Sequence, residues 1–229
     1  MGKSPWAVDS IATKLIGENK IEPMIIVAIW NNGSKRYVEY FPEKAAEYLP
    51  KDEREKLESL AIQMGMPIKD FLGDEYLKFI VNELKPYIDQ NYRTLPDVKN
   101  TSVCGSSMGG LISMYAICEY PDVFGQAACV STHWPILFNN DNMTPSETVR
   151  EYMVQHLPSP DNHRIYFDYG TKTLDVFYEV HQDKVDDIMR DKGFVEGKNW
   201  VTKKFQGAAH NEESWRKRLD IILEFLYKK

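Results

Sequence analysis

Long hydrophobic runs are missing from this 229-residue sequence, so no transmembrane helix is expected. Cysteine is scarce. Three residues, Cys104, Cys118 and Cys129, cannot all pair, and each falls in a segment that reads as core, so buried free thiols are the simple expectation. No Pro/Gly/Ser-rich stretch divides the chain, which reads as a single domain over residues 1–229. An excess of positive charge is also absent. The 28 Lys and Arg residues face 34 Asp and Glu, a formal net charge of -6, which argues against nucleic acid or an anionic membrane as the main partner. With no His-Glu-x-x-His run and no paired-cysteine site, neither a metal nor an organic cofactor is implied. The first residues are polar and form no signal peptide ahead of Trp6. The sequence as written therefore reads as cytoplasmic, or as periplasmic or secreted if the natural N-terminus is longer.

What is present is an alternation of helical and strand-like segments. Ser4-Pro5 suits a helix start, followed by Val8, Ile11, Ala12, Leu15 and Ile16 at helical spacing up to Gly17. Met24 to Trp30 is a continuous apolar run, as expected of a strand covered on both faces, and it stops at Asn31-Asn32-Gly33. Arg36 and Glu39 follow in a polar loop, where a bracing ion pair is expected. Residues 42–73 are charged and helical in parts, an excursion that could roof a pocket. Asp74 is placed to cap a helix running to about Tyr92, with Pro86 kinking or breaking it. Further strands are expected at Val98 to Cys104, Gly125 to Ser131, Arg164 to Tyr169 and Trp200 to Phe205. Between and after them come helices from the Thr144-Pro145-Ser146-Glu147 capping box, from Asp175 to Arg190, and from Trp215 to Leu226. This pattern is that of an α/β fold with a mainly parallel sheet flanked by helices.

The strongest local signal is Cys104-Gly105-Ser106-Ser107-Met108-Gly109-Gly110, a Gly-x-Ser-x-Gly turn between a strand and a helix. A serine hydroxyl is a poor nucleophile unless it stands clear of the sheet, beside a base and amide donors. The turn would place Ser107 on a strained bend, with Gly105 and Gly109 removing side chains that would collide and Gly110 letting the helix pack closely. The amide of Met108, at the helix start, would then point at a negative oxygen forming on a substrate, an oxyanion-hole role.

A serine nucleophile needs a base and a group to orient it, arriving from later strand ends. His210, among small residues between the last strand and the last helix, is the candidate base. His156, His163 and His181 read as surface residues. Asp175, in the turn after the Arg164 to Tyr169 strand, is the candidate acid, with capping of the next helix as its ordinary alternative. Asp168 is its competitor but reads as lying within the strand. His133 and Trp134 follow another strand end and, with Trp30 and Asn31, are candidates for lining a substrate pocket. Core packing explains both tryptophans nearly as well.

Ser107, Asp175 and His210 follow the Ser, Asp, His chain order of α/β-hydrolases. At this point the sequence resembles the esterase family of the α/β-hydrolase fold that includes esterase D, enterochelin esterases, and feruloyl and acetyl xylan esterases. The likeness rests on Gly105 to Gly110, on Arg36 with Glu39-Tyr40, on the Asp175 turn and on His210 with Trp215. The resemblance implies a serine esterase with Ser107 as nucleophile, Asp175 as acid and His210 as base. It also implies small-molecule esters as substrates, carbohydrate-linked acyl esters among them. A thioesterase would use the same residues, and a non-catalytic module using the pocket for binding is the alternative of a different class. The family normally has further strands ahead of the helix that begins here at Ser4, including one followed by a loop that gives a second oxyanion donor. In the family's order that strand lies between the Met24 and Val98 strands. A gap there would be met by direct pairing of those two, by a strand from another copy, or by a longer polypeptide, and an open edge would favour a homo-oligomer.

Overall fold

The computed structural model describes residues 6–63 and 71–228. Four parallel strands form its sheet in the order β1-β2-β3-β4: β1 (Ser102–Ser106), β2 (Gln126–Val130), β3 (Arg164–Lys172) and β4 (Trp200–Ala209). Ahead of the sheet come α1 (Val8–Gly17), α2 (Arg36–Glu39), α3 (Lys51–Gln63), α4 (Gly73–Phe79) and α5 (Lys85–Asn91). Parallel pairing demands crossovers, and α6 (Met108–Glu119), α7 (Thr144–His156) and α8 (Glu179–Asp191) supply them. The chain closes with α9 (Glu212–Arg216) and α10 (Leu219–Tyr227).

Side chains alternate across the strands, so the sheet is buried on both faces. Ala127, Cys129, Ile165 and Phe167 join a core with α6, α7 and α8, while Ala128, Val130, Tyr166 and Val201 join a second core with α1 and α10. The consequence for function is positional. The loops after β1, β2, β3 and β4 all leave from the carboxyl end of the sheet, where open parallel sheets carry their sites.

The Met24 to Trp30 run does not form a strand. Ile25, Ile26 and Val27 are each more than two-fifths exposed, and Trp30 is 94% exposed. Among the described residues nothing pairs with β1 on the side away from β2, so β1 is an edge. The composition of the run is that of a buried strand, but a strand exists only where a neighbour accepts and donates its backbone hydrogen bonds. Direct pairing of this run with the elbow strand does not occur. The same open edge explains Cys104, which is exposed rather than core, whereas Cys118 and Cys129 are buried free thiols.

Several local expectations change in detail. The Ser4-Pro5 helix start lies outside the described residues, as does part of the 42–73 excursion; the rest of that excursion packs Ala45 and Ala46 into the core. Asp74 sits in the first turn of α4 but caps nothing with its side chain, which accepts a hydrogen bond from the Tyr115 hydroxyl instead. A π-helical stretch, Ile80–Leu84, carries α4 into α5 without a break, and Pro86 falls in the first turn of α5. The Thr144 capping box does not close. The Asn142 side-chain carbonyl accepts from Thr144 N–H at 3.0 Å, and Ser146 turns inward to His181 at 2.6 Å. His181 is therefore fully buried, not at the surface. It lies on the inner stripe of α8 with Gln182, Val185 and Met189, and Asn140 meets its other nitrogen at 2.8 Å. No helix among the described residues is long and apolar enough to cross a membrane.

Candidate active site

Ser107 stands between β1 and α6 with φ 60° and ψ -123°, a conformation costing a non-glycine residue about 1–3 kcal/mol. Neighbouring backbone holds it there. Ser107 N–H donates to Val130 O at 2.9 Å, while Ser107 O accepts from Gly110 N–H at 2.9 Å and His133 N–H at 3.2 Å. A Cβ on Gly105 would lie 2.5 Å from the Gly109 carbonyl oxygen, and one on Gly110 would lie 2.8 Å from Thr132 Oγ1, so both positions demand glycine. Gly109 is different from expectation: a Cβ there would meet nothing within 4 Å, and it is the backbone of Gly109 that crowds Gly105. The N–H of Met108 opens the twelve-residue helix α6, whose dipole places partial positive charge beside Ser107.

Asp175 comes from a short helical turn, Thr173–Phe177, directly after β3 and is 1% exposed. Its Oδ1 lies 2.5 Å from His210 Nδ1, and its Oδ2 accepts from Gly170 N–H at 2.5 Å and Ser131 Oγ–H at 2.8 Å. His210 follows β4, where its backbone N–H donates to Thr173 Oγ1 at 2.8 Å. The rings of Tyr178 and Trp215 meet the imidazole edge-on, with centroids 5.6 and 5.0 Å away. Asn211 then caps α9 through its side-chain oxygen, turning the chain away from the site. Asp168, the other candidate carboxylate, makes no contact with His210: it accepts from Ser131 N–H at 2.9 Å and pairs with Arg218 at 2.7 Å. Burial pushes its pKa up to about 6 against the pull of Arg218.

Tyr178, which carries no signal in the sequence, and His133 both adjoin Ser107. The buried Tyr178 hydroxyl is 2.9 Å from His133 Nδ1. Burial raises the pKa of the Tyr178 phenol well above normal, opposed by hydrogen bonding from Ser107. His133 is 1% exposed, and burial, followed by repulsion from His210, lowers its pKa to about 3. It is neutral in the fold but protonates near 6.5 once unfolded. Between those values the unfolded chain binds the extra proton, so stability is expected to fall as pH drops from 6.5 towards 3. The stability gap between the native protein and His133→Gln should shrink by about 1.4 kcal/mol per pH unit across pH 6 to 4. Urea melts of both proteins measure this, and a gap independent of pH would contradict it.

The other sequence candidates divide. Trp134 is core: it is buried against Phe167 and donates to Gln182 Oε1 at 2.8 Å. The Asn31 side chain closes a turn by accepting from Gly33 N–H at 3.1 Å, and Trp30 stands in solvent. No contact brings either of them to Ser107. Arg36 does not pair with Glu39, whose Oε1 accepts from Asn32. Instead Arg36 Nη2 donates to Ser106 O at 3.4 Å and its guanidinium lies 5.5 Å from the centre of the Tyr40 ring. A cation beside the backbone of the elbow is thus a feature that sequence spacing alone misassigned. Among the described residues no group of three or more His, Cys, Asp or Glu side chains could hold a metal ion.

Comparison with known proteins identifies the fold and the family. The chain is 28% identical over 172 residues to the YbbA protein of Bacillus subtilis strain 168, covering 69% of this chain and 61% of that protein. It is 26% identical over 161 residues to an endo-1,4-beta-xylanase/feruloyl esterase of Xylanibacter ruminicola, covering 70% of this chain and 19% of that protein. The chain thus spans less than two thirds of the length of either relative. Among solved structures, an IroE-like serine hydrolase from Shewanella oneidensis superposes with a TM-score of 0.60 at 16% identity, covering 95% of this chain and 66% of that one, which establishes an α/β-hydrolase-like fold. The Esterase family model, described as "Putative esterase", matches residues 69–226 and so takes in Ser107, Asp175 and His210 together. Matched over roughly two thirds of its length, the chain belongs to the Esterase family.

Proposed function

We propose that this chain is a serine carboxylic-ester hydrolase that works through an acyl-enzyme. The observation that carries the reading is the 2.5 Å contact between His210 Nδ1 and the buried Asp175 Oδ1, made at the same end of the sheet as the strained Ser107 elbow. In this mechanism Ser107 Oγ attacks the ester carbonyl carbon while its proton passes to His210 Nε2. Asp175 holds the imidazole with Nδ1 protonated and offsets the charge of the imidazolium. Met108 N–H receives the oxyanion. Collapse of the tetrahedral intermediate expels the alcohol, which takes the proton back from His210. A water molecule, losing a proton to the same imidazole, then cleaves the acyl-Ser107 ester and restores the enzyme.

Small acyl esters and carbohydrate-linked esters are the proposed substrates, the latter in line with the name of the Xylanibacter ruminicola relative. Of the residues suggested for substrate contact, His133 is buried behind Ser107 together with Tyr178, and Arg36 lies beside the elbow backbone. The reading is tested by turnover of p-nitrophenyl acetate and butyrate together with labelling by a fluorophosphonate. Ester hydrolysis and a single covalent adduct on the peptide carrying Ser107 are expected. A folded protein that hydrolyses neither ester and labels elsewhere, or not at all, would refute it.

A further inference from the structure

The acid of the proposed triad does not stand alone, because a second buried set of side chains determines which of its oxygens faces His210. Ser131 follows β2, fully buried, with φ 39°. Its hydroxyl oxygen receives Trp215 Nε1–H at 3.0 Å and Arg218 Nη2–H at 2.7 Å, and lies 2.8 Å from Asp175 Oδ2. Indole and guanidinium nitrogens only donate. Both lone pairs of the Ser131 oxygen are therefore taken, and its one proton has Asp175 as its sole acceptor. Gly170 N–H donates to that same Oδ2, so this oxygen is saturated and Oδ1 alone remains for His210.

We infer that Ser131 is a positioning residue of the active site, its hydroxyl turned onto Asp175 by Arg218 and Trp215 so that the carboxylate presents a fixed oxygen to His210. This rests on the proposed esterase mechanism for its catalytic meaning, but the hydrogen-bond arrangement stands independently of it. Two features tie the set to the site. Trp215 holds Ser131 with its indole nitrogen while its ring meets the His210 imidazole edge-on. Arg218 also bonds Asp168 Oδ1, which itself accepts from Ser131 N–H at 2.9 Å, so Ser131 is fastened by backbone and side chain to one buried ion pair. That pairing uses Asp168 up as a partner for Arg218 and leaves a single carboxylate for the base. Arg218 reaches inward because the chain breaks between α9 and α10, and its guanidinium rests 4.8 Å from the centre of the Phe205 ring.

Loss of the Ser131 proton concentrates charge on Asp175, which raises the pKa of the adjacent imidazole. The charged and titratable groups around that imidazole are Asp175 from the β3 loop, Tyr178 beside α8, His133 from the β2 loop, Arg36 of α2 and Glu212 of α9, with Asp168 and Arg218 behind them. None of these is altered by Ser131→Gly. The replacement suits a residue at φ 39°, so the backbone itself loses nothing.

The experiment follows the His210 imidazole by proton NMR, with His210→Gln identifying its signals, in the native protein, Ser131→Gly and Trp215→Phe. It is paired with pH–rate profiles for p-nitrophenyl butyrate. Ser131→Gly is expected to raise the His210 titration midpoint by about half to one pH unit and to move its downfield Nδ1–H signal. It should lower kcat about 10- to 100-fold, the equivalent of one charge-assisted hydrogen bond, with KM changed less than about threefold. Trp215→Phe keeps a ring against His210 but frees one lone pair of Ser131, and should shift the midpoint the same way by less. It decides the matter if Ser131→Gly does not fold. An unmoved His210 titration in the folded variants would overturn the inference. Titration shifts in a native protein that turns over no ester would uphold the positioning role and refute the esterase reading instead.

Discussion

Ser107→Ala is expected to lower the turnover of p-nitrophenyl butyrate by about 10³–10⁴-fold, and His210→Ala by a similar factor. In a complete serine-hydrolase triad, loss of either residue costs on the order of 10⁶. With Met108 N–H as the single backbone donor assigned among the described residues, about 10²–10³ of that rate is expected to be missing before any mutation is made. The remaining span is what the variants can lose. Because the two residues act on one proton transfer, the double variant should be scarcely worse than either single one. Steady-state kinetics on the three proteins, with folding checked by circular dichroism, measures this. Ordinary activity in both single variants would remove the proposed roles, and additive losses would show that the two do not act as a unit.

The second large effect separates two carboxylates. Asp175→Asn should lower turnover nearly as far, with a reference loss of about 10⁴ for such a change, while leaving the fold intact. The direction follows from the donors on the page. Gly170 N–H and Ser131 O–H both point at Oδ2, so the amide oxygen of an asparagine must take that place and its NH2 must face His210. The imidazole is then driven to carry its proton on Nε2, where it can no longer accept one from Ser107. Asp168→Asn should do the reverse. It leaves the buried Arg218 cation without its carboxylate, a loss of about 3–5 kcal/mol in stability. Activity of the fraction still folded should fall much less. Denaturant melts and kcat measured on both variants check the crossing pattern, and equal activity losses would show that the two carboxylates share the role.

Legibility differed between the fold and the site for identifiable reasons. The strands at β1 to β4 and the helices between them could be read because apolar segments of the right length alternated with amphipathic ones. The elbow could be read because Gly105 and Gly110 have no tolerated substitute at such close approach. His181 was misread because an imidazole on a helix has no signature that tells an inner stripe from an outer one until the neighbouring helix supplies Ser146. Arg36 was misread because Glu39, three residues on, offered an obvious partner that the backbone turned towards Asn32. Arg218 was hidden inside what reads as one amphipathic helix from Trp215 to Leu226, and only the break before α10 aims it inward.

By itself, then, the sequence determined the α/β pattern, the strained serine turn, and the order in which Ser107, Asp175 and His210 arrive. All of these are local or periodic properties of the chain. The tertiary structure alone decided that Tyr178 and His133 adjoin the serine, that Asp168 is taken up by Arg218, and that the Ser131 hydroxyl meets Asp175. It also decided that Met24 to Trp30, for all its apolar composition, is no strand. Each of these depends on which backbone or side-chain group occupies the space alongside, and a partner distant in sequence leaves no mark on the residues it will meet.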